Sequence, residues 1–207
     1  YPSGTALMLG KGIADGKNKN LYNLIGKKFS IIGDGVVLDG RTEVPKDQWE
    51  LAGDSVYSTP APSAFTILFL GNKPAERVKV AGENAEVPEL EEHQWCLVNH
   101  RVYFKTESTK LPRDYDLTYN TRRVGITLVN CRQVVIQGFI VQGFQLDGIN
   151  AHDNVFGATL LGITARGNGR SGVSVGGASR VTIEACLVGN NGVAQLRTEG
   201  FSETRLK

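Results

Sequence analysis

Gly125-Ile-Thr-Leu, Gly148-Ile-Asn-Ala, Gly172-Val-Ser-Val and Gln195-Leu-Arg-Thr line up one above another at a spacing of about 23 residues. Behind each comes a second match: Val134-Val-Ile, Ala158-Thr-Leu, Val181-Thr-Ile and Thr204-Arg-Leu. Two strand-like runs with no helical stretch between them leave no room for βαβ units. A repeat this short reads as one coil of a parallel β-solenoid. Such a rod sets side chains in rows along its outer face, and extended polymers lie along faces of that kind.

The columns hold one by one. Ile126, Ile149, Val173 and Leu196 form one, with Leu128, Ala151, Val175 and Thr198 beside it. Across the coil come Val134, Ala158, Val181 and Thr204, then Ile136, Leu160, Ile183 and Leu206. Within each strand the apolar positions alternate, which puts one face inward. Small and β-branched types suit a narrow interior whose coils stack about 4.8 Å apart. Glycines recur at the corners, as in Gly148 with Gly172, and Asn168 coincides with Asn191. An asparagine stack at a turn would satisfy backbone groups there.

Upstream the composition changes. Residues 41–123 hold both tryptophans, Trp49 and Trp95, and most of the prolines. They offer strand candidates in Ser55-Val-Tyr, Phe65-Thr-Ile-Leu-Phe-Leu and Arg101-Val-Tyr-Phe. This stretch reads as an irregular β-rich insert, antiparallel in part. Residues 1–40 read as an N-terminal cap and first coil. Leu21, Leu24 and Ile25 have the spacing of one or two helical turns, and Phe29-Ser-Ile-Ile and Val36-Val-Leu read as strands around Gly33-Asp34-Gly35. Residues 124–207 are the regular coils. The last of them ends without a polar cap, which predicts either a missing C-terminal segment or an end-to-end homodimer.

Bulk properties narrow the partners. A net charge of +2 and a pI near 8.4 call for neither nucleic acid nor an anionic membrane surface. No apolar run is long enough to span a bilayer. Gly makes up 25 of the 207 residues, which suits tight turns better than long helices. Cys96, Cys131 and Cys186 have neither metal nor redox spacing and read as buried thiols.

Gly-Ile/Val-x-Val, a Val-x-Ile strand and the turns Gly167-Asn-Gly and Gly189-Asn-Asn-Gly together resemble the repeat of the pectate-lyase-like superfamily. Ile31-Ile-Gly-Asp-Gly-Val-Val-Leu-Asp-Gly is similar to the opening coil of such proteins. Leu68-Phe-Leu-Gly-Asn-Lys-Pro-Ala-Glu-Arg resembles the β-rich inserts of bacterial β-helix proteins thought to act on carbohydrate. The resemblance implies an all-β fold: a right-handed single-stranded parallel β-helix with an irregular insert in the N-terminal half. It further implies a secreted or cell-envelope protein that acts on a polysaccharide. Members of the superfamily include lyases, hydrolases, esterases, epimerases and adhesins, so the fold does not pick a reaction. Calcium is frequent among the uronate lyases, but no acidic cluster here is tight enough to assign it, and no metal ligands are named. The Asn-Thr-Asp, Asp-Asp and Gly-His-Gly set of pectin hydrolases is absent from the sequence, as is the Trp-x-Asp-His of common pectate lyases.

Candidate chemistry lies on the outward positions of the first strand. Its rows run Thr127, Asn150, Ser174, Arg197 and Val129, His152, Gly176, Glu199. The one change of repeat length falls between Ala151 and Ala158, around His152-Asp153-Asn154, and implies a bulge or a wider corner. With Gly176-Gly177 above, a shallow notch is expected, His152 and Asp153 at its floor. Glu199 would lie two coils up, about 9 to 10 Å away, with Arg197 and Asn150 alongside. Catalysis is assigned to His152, Asp153, Glu199 and Arg197, and substrate binding to Asn150, Ser174 and Asp147. Paired carboxylates at that distance approach the separation an inverting glycosidase uses. A His or Arg beside a carboxylate would instead serve β-elimination. Two plainer readings stand beside these: His152 and Asp153 bonding turn backbone, and Arg197 with Glu199 as a solvated pair. Asp147 also fits a turn-forming role. If no cleavage occurs, the rod is a non-catalytic glycan-binding or adhesion module.

Overall fold

A computed structural model describes Met8–Leu9, residues 29–81 and residues 85–207. The expected helical turn at Leu21, Leu24 and Ile25 lies outside the described residues. The chain divides into two compact units, Tyr1–Gly40 with Arg122–Lys207 and Arg41–Thr121.

The first unit is a parallel β-solenoid, and no α-helix occurs among the described residues. One sheet stacks Met8–Leu9, Ile126–Val129, Asp147–His152, Ser171–Val175 and Ala194–Thr198 in that order, all parallel. A second stacks Phe29–Ile32, Val134–Gln137, Phe156–Leu161, Arg180–Glu184 and Glu203–Leu206. The register matches the repeat: Ile126 lies against Ile149 and Ile149 against Val173. Ile149, Ala151, Leu160, Val173 and Val175 are wholly or almost wholly buried, so each coil closes over the one before. Burial of such β-branched and aliphatic side chains contributes about 1.5 to 3 kcal/mol each.

A third sheet was not among the expectations. Val37–Asp39, Ile140–Gln142, Thr164–Arg166 and Leu187–Gly189 pair in parallel along the remaining side of the coil. Each strand is only three residues long and turns one side chain inward, as Val141 and Ala165 do. So short a run shows no alternation to read.

The asparagine stack is present where the repeat placed it. Asn168 accepts the backbone N–H of Phe144 (3.1 Å) and donates to Asn191 Oδ1 (2.9 Å). Asn191 in turn donates to the carbonyls of Ala165 and Gly189, each at 3.1 Å. Buried polar groups are thereby satisfied up the corner. Glycine is required beside this stack: a Cβ on Gly172 would lie 2.4 Å from Val188 Cγ1 and 2.6 Å from Asn191 Nδ2.

The second unit holds two antiparallel sheets. Glu50–Gly53, Val56–Pro60, Arg101–Lys105 and Trp95–Val98 form one; Arg41–Glu43, Leu117–Asn120, Leu68–Leu70 and Lys73–Pro74 form the other. Leu68, Trp95, Val102 and Phe104 are its fully buried centre. Of the run expected from Phe65, only Leu68–Leu70 is strand. Thr66 closes a turn on Ser63 instead, its hydroxyl donating to the Ser63 carbonyl at 2.6 Å, a local bond that competes with strand pairing.

Candidate functional site

His152 closes the strand Asp147–His152, and its side chain points outward beside buried Ala151. Asp153 and Asn154 follow with φ of 56° and 65°, a left-handed turn that Asp and Asn tolerate best among non-glycine residues. The turn swings the Asp153 carboxylate back, and Oδ2 lies 2.7 Å from His152 Nδ1. Both groups are open to solvent, at 40% and 64% of side-chain area. A proton on Nδ1, donated to the carboxylate, leaves Nε2 with a free lone pair. The pair therefore bonds to itself rather than to the turn backbone, and it has the form of a general base with an orienting carboxylate.

The coil above sets only glycine backbone, and no side chain, over this pair. A Cβ on Gly176 would meet only the His152 Cβ, at 3.8 Å. Gly177 sits over Asp153 with φ of 67°. Glu199 belongs to the next coil, its N–H donating to Val175 O at 2.9 Å just as Gly176 N donates to Ala151 O at 2.8 Å. Glu199 and Arg197 form an ion pair with each other, both partly exposed. Among the described residues no hydrogen bond or ion pair joins this upper pair to His152 or Asp153.

The extra residue of this coil is absorbed at two different points. Against the coil below, the register steps between His152 and Phe156: Val129 pairs with His152, Arg132 with Phe156. Against the coil above it steps at Gly157, between Phe156 and Ala158. Gly157 has φ of 67°, the left-handed value a bulge needs.

Asn150, Ser174 and Arg197 do stack in one row. Their exposure differs, however: Ser174 is buried, while Asn150 and Arg197 are half-buried. Asn150 donates to Asp147 Oδ2 at 2.9 Å. Asp147 itself is wholly buried, and it makes no turn of the kind its position suggested. It accepts from Arg170 Nε at 3.0 Å and Ser171 Oγ at 2.6 Å, both from the coil above. Its hydrogen bonds, with the charge of Glu199 further off, hold the Arg170 guanidinium even more firmly protonated than usual. Neither Arg170 nor Ser171 carried a functional assignment from the sequence. The signal was there: the repeat places Leu146-Asp147 directly under Arg170-Ser171.

Elsewhere, His93 Nε2 lies 3.1 Å from Glu107 Oε1 in the second unit, and Lys110 donates to the same oxygen at 2.8 Å. Trp95 is fully buried, while Trp49 is half-buried with its ring tilted against Phe104. Cys96 and Cys131 are buried and unpaired, and burial pushes both thiols up to about 11. Among the described residues no three His, Cys, Asp or Glu side chains converge as metal ligands, and no helix is long and apolar enough to cross a membrane.

No family model matches the chain, and no solved structure matches it. Over 29 residues it is 97% identical to 4-hydroxy-tetrahydrodipicolinate reductase of Pelagibacter ubique (strain HTCC1062), a stretch equal to 14% of this chain and 11% of that protein. The chain thus spans about a tenth of the length of that relative.

Proposed function

We propose that the chain is a carbohydrate-active β-solenoid protein of the pectate-lyase-like kind, secreted or envelope-facing, which cleaves a polysaccharide lying along its outer face. The observation that carries this reading is the His152–Asp153 pair, 2.7 Å apart, open to solvent and roofed only by glycines. Nε2 of His152 is the base. In elimination it takes the proton from the sugar carbon beside a carboxylate, a C=C bond forms to the next carbon as the glycosidic C–O bond there breaks, and the leaving oxygen takes a proton from solvent. In hydrolysis it takes a proton from water as the oxygen attacks the anomeric carbon and the glycosidic C–O bond breaks, the leaving sugar oxygen taking a proton from solvent. Arg197 and Glu199, about two coil steps above, bind the sugar further along the chain. The reductase match is too short to assign that activity here.

The test is an ultraviolet and reducing-end assay on uronic-acid and neutral polysaccharides. An unsaturated uronate product marks a lyase, and new reducing ends without it mark a hydrolase. His152→Ala abolishes either one while thermal unfolding stays unchanged; full turnover in that variant removes the assignment. A second reading, a non-catalytic glycan-binding module, is favoured by the closure of Arg197 and Glu199 on each other, which leaves no free carboxylate acid above the base. Binding without product selects it.

A further inference from the structure

Phe156 stands in an outer row three residues beyond Asp153, with Arg132 below it and Arg180 above it in register. The guanidinium carbon of Arg132 is 4.9 Å from the ring centroid and that of Arg180 is 5.8 Å. Both distances are within cation–π range. Both arginines are exposed and the ring is half-buried. The negative ring faces hold two like charges in place that would otherwise swing apart. Phe156 is a spacer.

The two cations are not equivalent. Glu203, from the coil above Arg180, approaches it at 3.4 Å. That contact joins two exposed side chains and is weak, so a ligand can displace it. Arg132 has no carboxylate partner among the described residues. The row therefore reads cation, ring, cation, with the two cations two coil steps apart, about 10 Å. A disaccharide unit of an extended glycan covers a similar length. An acidic group on the sugar between them would meet the ring edge, which offers no hydrogen-bond donor, and so gains less than one paired with a guanidinium.

We infer that Arg132 and Arg180, spaced by Phe156, bind two acidic groups of one polysaccharide whose acidic groups recur once per disaccharide. Those groups are carboxylates or sulfate esters, both of which accept the paired N–H donors of guanidinium. The inference rests on the polysaccharide reading of the adjacent His152 and narrows it to a class of polymer.

Binding is measured by calorimetry with the His152→Ala protein, so that turnover plays no part. The probes are hyaluronan (carboxylate on alternate sugars), kappa-carrageenan (sulfate on alternate sugars), polygalacturonate (carboxylate on every sugar) and neutral dextran. Hyaluronan or carrageenan is expected to bind most tightly, and which of the two does so identifies the acidic group. Arg132→Gln and Arg180→Gln each weaken it about tenfold. Glu203→Gln strengthens it, and Phe156→Leu removes the preference over polygalacturonate. Thermal unfolding of each variant confirms that the fold is kept. Equal binding of dextran or polygalacturonate, no binding of any probe, or unaltered affinity in both arginine variants overturns the inference. Binding as expected with no cleavage by the wild-type protein leaves this site standing and removes only the catalytic reading.

Discussion

The Asp147 carboxylate meets the Arg170 guanidinium across neighbouring coils, Nε to Oδ1 at 3.0 Å, and no part of Asp147 reaches solvent. A buried charge keeps its place only while it is paired. Arg170→Leu leaves that carboxylate with Ser171 and Asn150 alone, and is expected to cost about 3 kcal/mol or more. Asp147→Asn, which also removes the charge, is expected to cost less. Chemical denaturation checks both. If the double variant costs the full sum of the singles, the two residues are not coupled.

Gly172 lies in the strand Ser171–Val175 and Gly176 follows its last residue, yet they should respond oppositely to substitution. A Cβ at Gly172 collides with Val188 and Asn191, whereas one at Gly176 meets only the His152 Cβ at ordinary contact distance. Gly172→Ala is expected to destabilise by about 1 to 3 kcal/mol through overpacking. Gly176→Ala is expected to stay within about 0.5 kcal/mol of the parent. Thermal melts of the two proteins decide it.

Filling the space above His152 tests the location of the site. Gly176→Leu is expected to lower turnover or glycan affinity by about tenfold or more, with a thermal melt to check that this buried position keeps the fold. Unchanged activity would place the reacting groups elsewhere on the rod.

The buried thiols set a pH limit. Cys96 and Cys131 hold their protons up to about pH 11 in the folded chain, because burial penalises the thiolate, against 9.0 for an ordinary thiol. The unfolded chain therefore binds fewer protons between those values, and stability falls as pH rises through that window. Denaturation midpoints at pH 8 and pH 10 should show the decrease, and replacing both cysteines with alanine should lessen it. At pH 8 a disulfide reagent is expected to react with Cys96 and Cys131 only as fast as the fold opens.

The coil and its two longer strands were legible because matching positions such as Ile126, Ile149 and Val173 recur at one spacing and alternate with polar residues. The third sheet was hidden: its four strands turn only Leu38, Val141, Ala165 and Val188 inward, one each, and one residue has no period. In the second unit the run from Phe65 promised a longer strand, but the Thr66 hydroxyl took the Ser63 carbonyl first.

The candidate site divides in the same way. The extra residue beside His152 can be counted in the sequence, and so can the bare Gly176-Gly177 step above it. That the His152 and Asp153 side chains bond each other depends on two consecutive left-handed residues, which no spacing rule encodes. Asp147 looked like a turn residue and proved to be a buried anion, because Arg170 reaches it from the neighbouring coil. Periodicity alone determined that residues 124–207 wind and which apolar residues of the two longer strands face inward, since burial of apolar columns enforces one register. Only the tertiary structure decided which polar groups pair, because those partners are set by side-chain reach and turn geometry between coils, about 23 residues apart in sequence.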